Sequence, residues 1–249
     1  FLQERISQGY YSILVSINGW NGLENDDQVG VGVFMSAGSD ADDAGIRIQP
    51  GFKGSDVWTV EKGSIQETGQ PLEGTVCDGL LGCRPIAGDL NGYVSNGTLV
   101  ATFKEIPFAF GAEASRLSIP FKSAKLVAKL TKDGEIWRAT GELVGRWPAE
   151  GILNAVANLS IADDEPTPGV PVKSVCEDPL IWTTFKSEVC KAVDLADNED
   201  LDRKNAKCTA MSEAVGLKLV QAKFGRIVTA TASGTGGNKC AGVDLKCPQ

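Results

Sequence analysis

Histidine is missing from the 249 residues of this chain, and its absence removes several classes of catalytic site. A Ser-His-Asp triad or a Cys–His pair needs an imidazole to move a proton near neutral pH. Zinc sites draw on cysteine and histidine at characteristic spacings, and none of the seven cysteines forms a CxxC pair. The sequence therefore excludes imidazole-based catalysis and histidine-ligated metals, and we expect a protein that is not an enzyme.

The chain also lacks a long apolar run and a cluster of basic residues. A membrane-spanning helix needs about 20 consecutive apolar residues, and no segment approaches that length. The net charge is −8, whereas a duplex-binding protein needs a basic patch to displace counterions. We expect no transmembrane segment and no nucleic-acid or anionic-membrane partner. The first residue is Phe1 rather than Met, which indicates a processed or truncated chain.

Alternation of apolar and polar residues predicts an antiparallel sheet in the middle of the chain. Apolar residues with a period of two are typical of strands with one buried face, as in 124–130. The pair Asp133-Gly134 between apolar flanks is a strong hairpin signal. The strands predicted from such patterns cover residues 10–17, 29–35, 57–60, 92–103, 106–110, 117–130, 135–145 and 214–228.

We expect a mainly β fold, an antiparallel β-sandwich or barrel with two short helices on one side. Residues 1–230 would form a single β-rich domain, since all-β domains often reach this length as one unit. Apolar residues at helical spacing predict helices at about 148–160 and 179–196, with a proline-containing loop at 161–175. Residues 231–249, which are rich in glycine and contain two cysteines, would form a C-terminal tail.

Spaced cysteines without the geometry of a metal site predict disulfides and an oxidising, extracytoplasmic compartment. Cys77 with Cys83, and Cys240 with Cys247, are near enough in sequence to close short loops. One of the remaining three would pair outside this set or stay free, and spacing alone leaves the connectivity open. The candidate disulfide cysteines are Cys77, Cys83, Cys176, Cys190, Cys208, Cys240 and Cys247.

Two acidic loops form the candidate metal site, and calcium is the ion that such loops favour. Calcium takes several oxygen ligands from a flexible acidic loop. Residues 40–45 begin like an EF-hand loop, but Ala44 and Gly51 replace the ligands at its fifth and twelfth positions. The alternative interpretation is two solvated acidic turns. The candidate calcium ligands are Asp26, Asp27, Asp40, Asp42 and Asp43.

Aromatic residues beside polar ones are candidates for binding sugars. Trp20 lies in the turn-prone segment 18–22 and is the first candidate, and Tyr93 is the second. The alternative for Trp20 is that its ring folds down onto the core. The other four tryptophans lie in patterned segments, so we expect them in the core.

Paired carboxylates are the one catalytic arrangement that the missing histidine leaves open. Two such groups a few ångströms apart can hydrolyse glycosides. The candidates are Glu105, Glu135 and Glu142, although acidic residues at strand ends are more often solvated surface.

Four segments of the chain match a pattern that is known from a protein family. They are Asp56-Val57-Trp58-Thr59-Val60, Asn91-Gly92-Tyr93-Val94-Ser95-Asn96-Gly97-Thr98-Leu99-Val100-Ala101, Leu143-Val144-Gly145-Arg146-Trp147-Pro148 and Val189-Cys190-Lys191-Ala192-Val193-Asp194. In these segments the chain resembles an uncharacterised family of secreted, lipoprotein-like β-rich proteins of myxobacteria and related soil or predatory bacteria. The resemblance covers most of residues 10–228 and implies no catalytic residue. Members resemble lipoproteins tethered through an N-terminal cysteine, and this chain has no cysteine before Cys77.

We therefore expect a non-enzymatic, extracytoplasmic protein of the cell surface or envelope that acts as a structural, assembly or binding subunit. The tail with Cys240 and Cys247 would order against a neighbouring copy. The expected partners are other protein subunits or cell-surface glycans, with no cofactor besides calcium. The alternative function is a carbohydrate-binding module that uses calcium through the acidic loops.

Overall fold

The structure is a computed structural model, and it describes residues 2–42, 44–66, 74–77, 83–110, 117–161, 173–204, 206–229 and 240–248. Three short helices are present in these ranges: α1 (Leu2–Ser7), α2 (Ala149–Ala157) and α3 (Pro179–Ala192). The strands are β1 (Ser12–Asn18), β2 (Asp26–Ser36), β3 (Val57–Glu61), β4 (Ala87–Ser95), β5 (Thr98–Phe110), β6 (Leu117–Asp133), β7 (Ile136–Pro148), β8 (Ser160–Ile161), β9 (Lys173–Ser174), β10 (Ala210–Val220) and β11 (Lys223–Val228).

One curled antiparallel sheet of seven strands dominates the fold. Its strand order is β1-β2-β4-β5-β6-β7-β10, and it wraps into a half-barrel. The prediction of a mainly β, antiparallel fold is confirmed. The strands alternate in direction across the sheet, so the two edge strands, β1 and β10, run in the same direction.

The main core fills the concave face of the half-barrel. Val29, Val31 and Val33 of β2 share that face and are almost fully buried, as their spacing predicts. Leu99 of β5 lies opposite Ala128 of β6, and both belong to the same core. The period-two pattern of the sequence therefore specifies which face of each strand is buried.

A second, smaller layer covers the outer face of the sheet near β1 and β2. Strands β3 and β11 pair in parallel, and their buried residues Trp58 and Ile227 pack with Leu14 and Phe34. The predicted strand 214–228 is therefore wrong as a single element. The chain leaves the main sheet after Val220, and β11 pairs with β3 instead.

Two turn assignments in the predicted strand run are also wrong. The predicted strand 92–103 is broken by the hairpin turn Asn96-Gly97, where φ is 49° and 69°. Such positive angles at both positions fit the primed turn that Asn-Gly favours. The predicted break near Pro107 is absent, and Pro107 lies inside β5 opposite Pro120 of β6.

Pro107 fits within the strand because of what lies on the other side of β5. Pairing of β5 with β4 is confined to Thr98–Val100, and pairing of β6 with β7 begins at Lys122. Among the described residues, neither strand is therefore paired on its other side at Pro107 and Pro120, a position in a sheet where proline is tolerated.

The two predicted helices are present and pack together at one end of the sheet. They are shorter than the predicted spans 148–160 and 179–196, while residues 162–172 of the predicted loop lie outside the described residues. α3 begins with Pro179, and the Asp178 carboxylate accepts hydrogen bonds from the N–H groups of the first turn. Leu153 of α2 and Val189 of α3 are buried where the two helices meet, and they belong to the same core cluster as Ile119 of β6.

Three disulfides join the described cysteines: Cys77–Cys83, Cys176–Cys240 and Cys190–Cys247. Cys208 is a free, half-buried thiol. The short loop expected between Cys240 and Cys247 does not form, because each of these residues bonds to the helical region instead. The described part of the tail, residues 240–248, is thus joined by two disulfides to the helical region of its own chain. The three bonds indicate an oxidising environment.

Alanine substitutions at Gly141 and Gly216 test the register in which the strands of the sheet pair. A Cβ on Gly141 would collide with backbone atoms of Val127 and Ala128, whereas a Cβ on Gly216 meets no atom within 4 Å. We expect Gly141→Ala to lower the free energy of unfolding by about 1–3 kcal/mol, because overpacking displaces backbone. The control Gly216→Ala should change it by less than about 0.5 kcal/mol. Urea unfolding followed by circular dichroism measures both, and equal losses would contradict the register.

Candidate functional site

The candidate site is an apolar cleft between the two open edges of the half-barrel. β1 forms one wall with Ile13, Val15 and Ile17, and β10 forms the other with Leu219 and Val220. The volume of the cleft is about 360 Å³, which lies within the range of small-molecule sites. The floor is made by residues of β5, β6 and β7, namely Leu99, Ala128, Leu130 and Ala139.

Sequence alternation explains why the cleft is apolar. Ile13, Val15 and Ile17 alternate along β1, and Leu217 and Leu219 alternate along β10, so each set points to the concave face. In a closed barrel such residues would be fully buried. Here they are only half-buried, because no described strand lies between the two edges.

Two tryptophans form one end of the cleft. The rings of Trp20 and Trp137 meet edge to face with their centroids 4.5 Å apart. The Trp20 Nε1–H donates to the carbonyl oxygen of Leu23 at 3.0 Å, which fixes the indole. The backbone of Trp137 exchanges hydrogen bonds with Gln221, since its N–H donates to Oε1 at 3.0 Å and its carbonyl accepts from the Gln221 N–H at 2.8 Å.

The polar residues of the cleft are also near this end. All but three of the lining residues are apolar, and the exceptions are Arg138, Gln221 and Lys223. Arg138 of β7 lies opposite Val220 of β10, and Gln221 is the next residue in the chain after Val220. Its Nε donates to the Asp133 carboxylate at 3.1 Å. No carboxylate lines the cleft within the described residues.

The two predicted sugar-binding aromatics lie in different places. Trp20 lies at the cleft, packed partly against the main core. Tyr93 is 42% exposed on the other face of the sheet, opposite Val100 of β5. The structure does not bring the two rings together. Sequence reasoning missed Trp137, which we expected in the core and which is half-buried at the end of the cleft.

The carboxylates of the predicted calcium loops are engaged with the protein itself. The Asp26 carboxylate accepts from the N–H of Asn21 at 2.8 Å. The Asp42 Oδ1 accepts from the N–H groups of Ala44 at 3.0 Å and Ile46 at 2.8 Å. Asp27 is exposed on β2, and Asp43 lies outside the described residues. Within the ranges that the structure covers, no group of three acidic or cysteine side chains is arranged to hold a metal ion.

Asp40 is held by a cation that belongs to the protein. Arg226 of β11 donates to Asp40 Oδ1 from Nε at 3.0 Å and from Nη2 at 2.5 Å. Burial raises the pKa of the Asp40 carboxyl, but the hydrogen bonds from Arg226 and from the Ala41 N–H, with the charge of Arg226, outweigh it and lower the pKa overall. Asp40 therefore stays ionised as the partner of Arg226.

The three candidate catalytic carboxylates are also spread over the sheet. Glu105 of β5 lies opposite Lys122 of β6, whereas Glu142 of β7 lies opposite Val127 of β6. Five residues of extended strand separate these two positions by about 16 Å along β6. Glu135 lies in the turn after β6, where its carboxylate pairs with Lys132 at 3.3 Å. The register thus places them farther apart than a glycosidase pair.

Comparison of the chain with protein-family models, with curated proteins and with solved structures finds no match. The resemblance to lipoprotein-like bacterial proteins therefore stays a prediction. In the described ranges no helix is long and apolar enough to cross a membrane. The geometry of the cleft is accordingly the basis for a functional proposal.

We expect millimolar Ca²⁺ to leave the thermal unfolding midpoint unchanged relative to a chelator. Asp26, Asp40 and Asp42 already accept hydrogen bonds from the protein, and Arg226 would repel a cation at Asp40. Mg²⁺ at the same concentration controls for ionic strength. A rise in the midpoint with Ca²⁺ alone would contradict this expectation, because a ligand that binds only the folded state stabilises it.

Proposed function

We propose that the protein is a non-enzymatic, extracytoplasmic binding protein, secreted or held at the cell surface or envelope, whose binding site is the cleft between β1 and β10. The observation that carries the proposal is that two strand edges and an apolar floor enclose a preformed opening. Ligand sites of this size are lined mainly by apolar and aromatic side chains, with few polar groups. The three disulfides support a location in an oxidising compartment.

The chemistry of the lining favours an apolar ligand over a sugar. A sugar ring stacks on an exposed indole beside several hydrogen-bonding groups, and the walls and floor of the cleft offer aliphatic side chains instead. The Trp20 ring already packs edge to face with Trp137, and its N–H is already bonded to the carbonyl oxygen of Leu23. Glycan binding is the second candidate function, and the position of Trp20 at the cleft is the observation that favours it.

Assembly with other subunits would use the same opening. An extended strand from a partner could lie between β1 and β10 and pair antiparallel with both, since these two edges run in the same direction. Strand addition of this kind relies on free edges with alternating side-chain positions. A peptide and a small apolar ligand would then compete for one site.

The neutral fluorescent probe N-phenyl-1-naphthylamine tests the proposed site. We expect the probe to bind the folded protein at one site with a rise in emission, because the cleft removes it from water. Ala222→Phe should weaken binding about tenfold or more, since Ala222 lines the cleft and a larger side chain there occupies the opening. The matched control Ala214→Phe places the same side chain at an exposed position of β10 outside the cleft, and should bind as the wild type does.

Two results would contradict the proposal. One is the absence of saturable probe binding to the folded protein. The other is equal binding by the Ala222→Phe variant and its control, which would place the probe elsewhere. Displacement of the probe by a glycan, and not by apolar compounds, would favour the second candidate function.

A further inference from the structure

The lining of the cleft has a polarity along its length that specifies the ligand further. Its walls and floor are aliphatic, whereas its polar residues lie at the end where β10 leaves the sheet. A ligand that fills such a site has an apolar body and a polar group at one end. A methylene group occupies roughly the volume of a water molecule, about 30 Å³, so the cleft suits a chain of about a dozen carbons.

The charged residues that line the polar end of the cleft are positive. Lys223 and Arg138 line the cleft, and within the described residues no carboxylate does so. Lys223 is exposed, and among the residues that the structure describes it forms no salt bridge. The chain as a whole carries a net charge of −8, so a positive end at an apolar cleft differs from the rest of the molecule.

Arg138 contributes less than Lys223 to this positive end. Its partner Asp133 is bound at 3.1 Å, and the two side chains are 38% and 70% exposed. Exposed pairs of this kind are weak, so Arg138 can turn toward a second anion. Lys223 has no carboxylate partner among the residues that the structure describes. The amphipathic lysine side chain lets its ammonium group reach water or a ligand at the mouth.

We infer that the ligand of the cleft is a free, single-chain amphiphile with an anionic head group, such as a medium-chain carboxylate. Its chain lies between β1 and β10, and its carboxylate meets Lys223 at the end marked by Trp137. This inference rests on the proposed function, because it assigns the ligand class of the same site. It adds the charge of the head group, its position and the length of the chain.

Displacement of N-phenyl-1-naphthylamine by three twelve-carbon compounds tests the inference. The compounds share a chain and differ in the head: dodecanoate is anionic, dodecanol is neutral and dodecyltrimethylammonium is cationic. We expect dodecanoate to displace the probe best and the cationic compound worst. Decanoate should bind about tenfold more weakly than dodecanoate, because each buried methylene contributes to affinity.

Two lysine variants test whether Lys223 is the residue that contacts the head group. Lys223→Gln should weaken dodecanoate about three- to fivefold, the scale of an exposed ion pair, and leave dodecanol unchanged. Lys218→Gln removes the same charge from the same part of the chain, but Lys218 is an exposed residue of β10 that does not line the cleft. This control should keep the preference of the wild type for dodecanoate.

The outcomes separate the inference from the proposed function. Equal displacement by all three heads, or equal effects of the two lysine variants, would overturn the inference and leave an apolar binding site in place. Probe binding that no chain displaces would also overturn it and favour a strand from a partner. Failure of the probe itself to bind would overturn both.

The same head-group chemistry is present on membrane lipids, so vesicles are the comparison. We expect the protein to remain in solution when vesicles of phosphatidylglycerol are sedimented. Co-sedimentation that Lys223→Gln abolishes and Lys218→Gln preserves would overturn the assignment to a free chain and point to a membrane surface.

Discussion

The main sheet of this protein is antiparallel and has an odd number of strands, and its open cleft depends on that number. In a sheet where neighbours alternate in direction, seven strands leave both edges running the same way. β1 and β10 cannot complete the antiparallel pattern by pairing with each other, and antiparallel barrels accordingly contain even numbers of strands. The sheet curls around its core and remains open along one line. The cleft and its apolar walls follow from that opening.

An open edge is a hazard, because unpaired backbone groups invite aggregation. The structure protects the part of β10 that lies away from the cleft. The Asp194 carboxylate accepts hydrogen bonds from the Ser212 N–H at 2.7 Å and from its hydroxyl at 2.5 Å. These two bonds lower the pKa of Asp194, so the carboxylate stays charged beside the edge. Leu195 also bridges to Ala210 at the start of β10.

Elements outside the main sheet contact it beside the cleft and at the helical end. The connection from β10 to β11 crosses one end of the cleft, and Phe224 packs edge to face on Phe34 with the ring centroids 5.1 Å apart. At the helical end, two disulfides fasten the last described segment to α3 and to the turn before it. These bonds constrain the unfolded chain more than they shape the site.

Local patterns in the sequence specify most of the strands but not the cleft. The alternation in residues 117–130 and the Asp133-Gly134 pair predict β6 and its hairpin correctly. The turn at Asn96-Gly97 carries an equally clear signal, but the apolar alternation that follows it resembles a continuous strand. Pro107 suggests a break in the sequence but does not break β5, because the effect of a proline depends on whether the strand is paired on its other side at that position.

The cleft depends on contacts between residues far apart in the chain. Trp20 is recognisable in the sequence as a candidate because its neighbours are polar. The pattern around Trp137 predicts a core residue, and only the structure shows that it lies at the cleft. The same is true of Lys223, which becomes notable only when β10 and β11 are seen to separate at residues 221–222. Sequence periodicity defines faces, and strand order defines what those faces meet.

The most direct test of this account is a crystal structure of the protein grown with 12-bromododecanoate, in which anomalous scattering locates the bromine. The account predicts a sheet open between β1 and β10, with a bromine peak among Ile13, Val15 and Leu219 and the carboxylate near Lys223. Hydrogen bonds between β1 and β10 that close the sheet, or a bromine peak only outside the cleft, would contradict it.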